Sequence, residues 1–318
     1  MRKFIIDTDT ASDDAAAIML AAFSKDVEVL GITAVAGNVN VKQAALNAKM
    51  TSEVCSQITG KDIPVYVGQA RPLFKERKET ISVHGNDGMG DCDIIHPKGK
   101  LEDQRAVDFI LETVAKYPDE VELVVLGPAT NVALAILTDR EVMKKVKHIW
   151  SMGTPGFAIG NATPVAEFNV YLDAEAYSLM LDCGVPVTII GFDMCEGDIV
   201  LDDSELARLR EGNAAGKFLE RATSQLYEFK KAAYNMAIVD LPDAVALASA
   251  ILPGFVKSSV RCNVFCCTSE NETYGQVIFY REGRTYEAMP KTHGEPVEVV
   301  TAVDEKIFTD TFMKMLTE

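Results

Sequence analysis

Residues 7–14 read Asp-Thr-Asp-Thr-Ala-Ser-Asp-Asp and place four carboxylates, those of Asp7, Asp9, Asp13 and Asp14, within eight positions. They follow the apolar stretch Phe4, Ile5 and Ile6 and precede an apolar run that ends at Phe23. Like charges this close repel, so the cluster is costly unless a cation neutralises it or some carboxyls keep their protons. An oxygen-only donor set suits a hard divalent cation, calcium or magnesium. Helix capping explains part of the pattern: Ser12 is placed as an N-cap, and Asp13 and Asp14 fall in a first turn, where the helix dipole favours negative charge. Capping does not explain Asp7 and Asp9. The chemistry these residues point to is a metal-organised active site at the exit of a buried strand.

The chain around this cluster has 318 residues, 48% of them hydrophobic, and a net charge of −16. That length suits one large α/β domain or two small ones. No repeat or Ser/Gly-rich linker divides it, so a single domain over 1–318 is expected. A uniformly acidic chain is repelled by phosphate, which argues against nucleic acid and anionic membranes and for a small neutral substrate. No stretch approaches the ~18 apolar residues of a membrane-spanning helix. Residues 4–6 are too short an apolar run for a signal peptide. Seven cysteines without zinc-type spacing fit a reducing compartment, and a cytoplasmic location is expected. Cys262, Cys266 and Cys267 read as small core residues in a strand-like segment.

The elements that must carry the cluster alternate. Short apolar strands are predicted at 4–6, 27–35, 65–67, 121–126, 148–150 and 186–190, and helices at 13–23, 41–58, 102–117, 129–137 and 174–181. Continuous apolar strands separated by helices indicate α/β architecture: an open, mostly parallel, doubly wound (Rossmann-like) sheet with helices on both faces. Segment 69–100 is long and polar and reads as a functional loop. Segment 204–235 reads as helical and polar, and 256–280 as alternating strand, a hairpin or an edge addition. Ligands of open α/β sheets sit outside the carboxyl ends of the strands. Asp7 and Asp9, Gly37 and Asn38, residues 126–131 and residues 151–153 would all meet on that rim.

Several of these segments together resemble the inosine-uridine-preferring nucleoside hydrolases, in the same order along nearly the whole chain. The resemblance is carried by Asp7, Asp9, Asp13, Asp14 and Ala15; by Ala36-Gly37-Asn38; and by His84-Gly85-Asn86-Asp87-Gly88-Met89-Gly90. It continues in Leu126-Gly127-Pro128-Ala129-Thr130-Asn131 and in Thr163-Pro164-Val165-Ala166-Glu167-Phe168-Asn169. The resemblance implies hydrolysis of a ribonucleoside to ribose and free base with a bound calcium, and a homodimer or homotetramer. Position by position it implies that Asp9 is a calcium ligand and the general base toward a calcium-held water, with Asp7 in support. Asp14 and the Leu126 carbonyl would also hold calcium. Asp13, Asn38 and Asn169 would grip the ribose hydroxyls, with Met152, Asn161 and Glu167 around the 5′-hydroxyl.

Asp240 and Asp243 compete for the last calcium position. Asp243 fits the family frame, because a helix follows it as far as Pro253, and it is the expected ligand. The histidine that many relatives carry beside this aspartate is replaced by Pro242 or, in the other register, Val239. A proton donor to the leaving base commonly contributes ~10²–10⁴-fold, so His84, Tyr227 and Tyr234 become candidates, with His84 and Tyr234 expected beside substrate. Trp150, the single tryptophan, reads as core, and His148 and His293 as structural or exposed. Two other readings compete. One is a magnesium-dependent phosphatase starting from Asp7 and Asp9, although Ala11 stands where that class carries Thr or Val. The other is a non-catalytic calcium-dependent nucleoside- or ribose-binding protein.

Overall fold

The computed structural model describes residues 1–76, 83–195, 199–288 and 292–318, so the long segment 69–100 is described except for 77–82, which lie outside the described residues. The strands, in chain order, are β1 (Arg2–Thr8), β2 (Val27–Ala34), β3 (Val65–Val67), β4 (Val121–Val125), β5 (His148–Met152), β6 (Val187–Ile190), β7 (Val200–Asp202), β8 (Ile238–Asp240), β9 (Val256–Cys266), β10 (Val277–Arg281) and β11 (His293–Val303). The α-helices are α1 (Ser12–Phe23), α2 (Val41–Thr59), α3 (Ala106–Lys116), α4 (Thr130–Thr138), α5 (Arg140–Met143), α6 (Phe168–Leu172), α7 (Ala174–Leu181), α8 (Asp203–Glu211), α9 (Ala214–Ala222), α10 (Ser224–Tyr234), α11 (Pro242–Ile251) and α12 (Glu305–Thr317).

A nine-stranded sheet runs in the order β10-β9-β11-β6-β5-β4-β1-β2-β3. From β3 across to β11 every pairing is parallel, while β9 and β10 are added antiparallel at one edge. Strand residues alternate faces. Phe4 and Ile6 therefore enter one core, shared with α1, α2, α9, α11 and α12, and Ile5 enters the other, shared with α3, α4 and α7. Both faces are covered, as the apolar strands required. α1 and α11 pack closely through alanines, Ala15–Ala17 on one and Ala244, Ala246 and Ala248 on the other. Asn40 opens α2 by accepting from the Gln43 amide at 3.1 Å. Gly60, at φ +70°, ends it in the left-handed conformation that glycine adopts without strain. Among the described residues no helix is long and apolar enough to cross a membrane.

The structure departs from the sequence expectation in specific places. The expected helix 102–117 starts only at Ala106, and β5 extends two residues further, to Met152. The polar helical stretch 204–235 is three helices: Gly212 and Asn213 interrupt it, Asn213 starts a new helix by accepting from the Ala215 and Gly216 amides, and Thr223 separates α9 from α10. Segment 256–280 is an edge hairpin, β9 and β10, and it joins the parallel sheet through β11, a strand the periodicity does not announce. Gly294 and Pro296 lie near the start of β11 and mask its alternation.

Candidate active site

β1 and β4 lie in the middle of the sheet, and their carboxyl ends place Asp9 between two glycines. A Cβ built on Gly37 would fall 2.0 Å from Asp9 Oδ2, and one on Gly127 would fall 2.7 Å from Oδ1. Only residues without side chains leave room for this carboxylate. Its Oδ2 accepts from the Asn38 amide at 2.5 Å, while Oδ1 is buried with no hydrogen-bond partner. Burial pushes the Asp9 carboxyl up to about 7, and repulsion from Asp13 and Asp7 adds to the rise.

Asp7 points to the opposite face of β1 from Thr8. Its Oδ1 accepts from Thr33 Oγ1 at 2.5 Å and from Asn131 Nδ2 at 2.8 Å, and burial raises its carboxyl to about 6. Asn131 also donates to the Ala34 carbonyl and accepts from the Gln69 amide, so one side chain ties β1, β2 and the loop after β3 together.

Asp14 is fixed by Thr8 Oγ1 and by the Ala11 amide at 2.8 Å. Asp13, Asp14 and Asp243 each offer a carboxylate oxygen, and the three oxygens lie within 4.8 Å of one another. All three residues are buried. Burial, then their mutual repulsion, holds the Asp14 and Asp243 carboxyls well above the usual range. Asp13 Oδ1 has no hydrogen-bond partner and stands 3.7 Å from His84 Nδ1, which lies 2.7 Å from Ser12 Oγ. Among the described residues, His84 is the only basic side chain within ion-pair distance of Asp7, Asp9, Asp13, Asp14 or Asp243. A pocket of buried, oxygen-only, uncompensated negative charge is a fitting place for a hard divalent cation.

Of the two later aspartates, Asp243 in the first turn of α11 joins the cluster, whereas Asp240 on β8 pairs with Lys230 at 2.6 Å. The Leu126 carbonyl accepts from Asn169 Nδ2 at 2.8 Å, and the same amide lies 3.4 Å from Met152 Sδ. Leu126, Met152 and Asn169 are thus neighbours at the ends of β4 and β5. Glu167 has a structural role of its own. Its oxygens accept from the Asn169, Val170 and Thr154 amides and so cap α6, the helix that presents Asn169. Burial raises its carboxyl to about 7. Asn161 is exposed and accepts from the Phe168 amide at 2.9 Å.

Tyr234 ends α10 at 60% exposure, beside Phe229 and with the Lys230 ammonium 5.5 Å above its ring. Tyr227 donates to Asp203 on α8 instead. Trp150 donates to Glu122 at the far end of the sheet, His148 meets Thr188, and His293 meets Ser178 and stacks on Phe265. The sequence reading missed Thr8, Asn47 and Asn131 as parts of the framework. Asn131 lies inside the stretch Leu126-Gly127-Pro128-Ala129-Thr130-Asn131, and Asn47 shows in the sequence only as an amide among the alanines of α2.

Residues 4–310 match the family described as inosine-uridine preferring nucleoside hydrolase. The chain is similar to "Uridine nucleosidase 1" of Arabidopsis thaliana, with 38% identity over 68% of this chain, a stretch equal to 62% of that protein's length. In structure it is similar to a plant nucleoside hydrolase, with a TM-score of 0.92, 30% identity and 99% of each chain covered. It is also similar to a purine-preferring ribonucleoside hydrolase from Gardnerella vaginalis, with a TM-score of 0.87, 30% identity, and 99% of this chain and 98% of that one covered.

Proposed function

The chain belongs to the inosine-uridine preferring nucleoside hydrolase family, and from that premise we propose that residues 1–318 act as one calcium-dependent ribonucleoside hydrolase domain, releasing ribose and a free base. The observation that carries the reading is the buried, uncompensated set of Asp9, Asp13, Asp14 and Asp243 at the carboxyl ends of the central strands. Asp9, Asp14, Asp243 and the Leu126 carbonyl would hold the ion. A bound calcium supplies positive charge to this pocket and acidifies water there.

Asp9 is the general base. Its Oδ2 is pinned by the Asn38 amide and its Oδ1 is available to accept a proton from the attacking water. The water oxygen bonds to the anomeric carbon, and the electron pair of the N-glycosidic bond leaves with the base, which needs a proton. Asp7 supports Asp9 from below. The oxocarbenium-like transition state gains from the surrounding carboxylates. Asp13, Asn38 and Asn169 grip the vicinal ribose hydroxyls, and Met152, Asn161 and Glu167 shape the 5′ side. A 2′-deoxyribonucleoside leaves buried polar groups unpaired and is a poor substrate. With Pro242 where relatives carry a histidine, His84 beside Asp13 and Tyr234 at the end of α10 are the candidates for contact with the leaving base. Membership of this family sets the phosphatase reading aside. The seven cysteines, all unpaired, fit the cytoplasm, and a homodimer or homotetramer is the expected assembly.

The test is release of reducing sugar from inosine, adenosine, guanosine, uridine and cytidine. Turnover of at least one is expected, lost on chelation and restored by calcium. Calcium-loaded protein that binds ribose yet releases no base from any of the five would leave the binding-protein reading in its place.

A further inference from the structure

Asn47 sits in α2 among the core residues Ala44, Ala45 and Ala48 and is itself fully buried. A buried amide costs stability unless its hydrogen bonds are made, and here they are. Its Nδ2 donates to the Thr10 carbonyl at 2.9 Å and to the Asp87 carbonyl at 2.8 Å, and its Oδ1 accepts from Gln43 Nε2 at 2.8 Å. Thr10 lies in the segment between Asp9 and Asp13. Asp87 lies in the loop 83–91 that carries His84. One neutral side chain therefore joins the carboxylate-bearing segment to the histidine-bearing loop.

Most of that loop's other polar contacts set its shape and leave its place undetermined. Asp87 Oδ1 accepts from the Met89 and Asp91 amides, and Asp91 accepts from the Asp87 amide and from Asn86 Nδ2. Its far end rests on α10 through Ser224, which donates to the Gly90 carbonyl at 3.3 Å. Its near end has Asn47. Gly88, at φ +74°, lies directly over this amide: a Cβ there would fall 3.2 Å from Asn47 Nδ2 and 2.9 Å from Val39 Cγ1. Thr10 is also tied by its own amide donating to Thr8 Oγ1, the hydroxyl that fixes Asp14, and the following Ala11 amide donates to Asp14. Loop and cluster thus share one reference point, and the same loop brings His84 Nδ1 to 2.7 Å from Ser12 Oγ.

We infer that Asn47 is a positioning residue for the reaction, holding the 83–91 loop so that His84 stays against Ser12 and Asp13. Its effect on turnover rests on the hydrolase reading above, whereas its effect on the loop does not. Asn47→Leu keeps the branched heavy-atom skeleton and removes the donors. It is expected to lower kcat by about 100-fold, the scale of a catalytic group displaced by an ångström or so. Calcium affinity should stay unchanged, and amide exchange in 83–91 should rise. A double-mutant cycle with His84→Ala separates this from general damage: if Asn47 acts through His84, the second substitution adds little to the first. Fully additive losses, or an unaltered exchange pattern in 83–91, overturn the assignment. Should the leucine variant fail to fold, Asn47→Ser, with room for a bridging water, is carried through the same measurements and judged by the same outcomes. A wild-type protein inactive on every nucleoside defeats the hydrolase reading alone, and the exchange comparison still decides the role of Asn47.

Discussion

At the amino end of the central strands, Glu122 on β4 is 2% exposed and accepts from Arg2, Lys147 and Trp150. At the carboxyl end of the same strands, Asp9, Asp13, Asp14 and Asp243 are equally buried and meet chiefly one another. Burial pushes the carboxyls of Glu122, Asp9, Asp14 and Asp243 toward protonation. For Glu122 the hydrogen bonds from Arg2, Trp150 and Lys147 more than reverse that push and hold its carboxyl at about 2. For Asp9 the neighbouring carboxylates add to it, and the group rises to about 7. The chain supplies its own cations where it needs a joint between strands and withholds them where a ligand is to come. Burial of a charge thus distinguishes a structural from a functional carboxylate only when its partners are counted.

The largest test of this contrast is Asp9→Asn. Removing a general base is expected to cost about 10²–10⁴-fold in turnover, while calcium binding is weakened by the lost charge but retained through Asp14, Asp243 and the Leu126 carbonyl, read by reducing-sugar release and calorimetry. Near wild-type turnover would sink the base assignment. At the opposite end, Glu122→Ala strips three donors of their acceptor and should cost about 1–3 kcal/mol in stability by urea denaturation, with the activity of the folded protein retained. Equal losses of activity at the two ends would dissolve the distinction. The smallest effect is in acid. The folded pKa of Glu122 lies below its ordinary value of 4.5, so its contribution is complete above that value and fades as pH falls toward about 2. Glu122→Gln should flatten acid unfolding in that window, and an unchanged profile would show that the pair is screened by solvent.

Much of this arrangement was legible because local sequence and tertiary placement agree. Apolar runs fixed the parallel strands, and the open-sheet rule brought Asp9, Asn38, Leu126 and Met152 to one rim. Between Asp240 and Asp243 the helix that runs to Pro253 already favoured Asp243, and the structure adds that Asp240 is taken up by Lys230, 10 positions earlier in sequence. The capping of α6 by Glu167 was not legible, because the amides it accepts from belong to a helix whose start the sequence does not announce. β11 stayed hidden since its pairing with β6 and β9 overrides a Gly- and Pro-containing start. Asn47 escaped for a similar reason: its partners belong to two distant loops.

The glycines flanking Asp9 carry a lesson for redesign. Variation can be spread over exposed segments of the chain, such as the end of α10. Gly37 and Gly127 should be held constant in any such library, since even a methyl group at either would displace the Asp9 carboxylate proposed above as the base. Base choice can then drift while the sugar-cleaving chemistry stays in its mould.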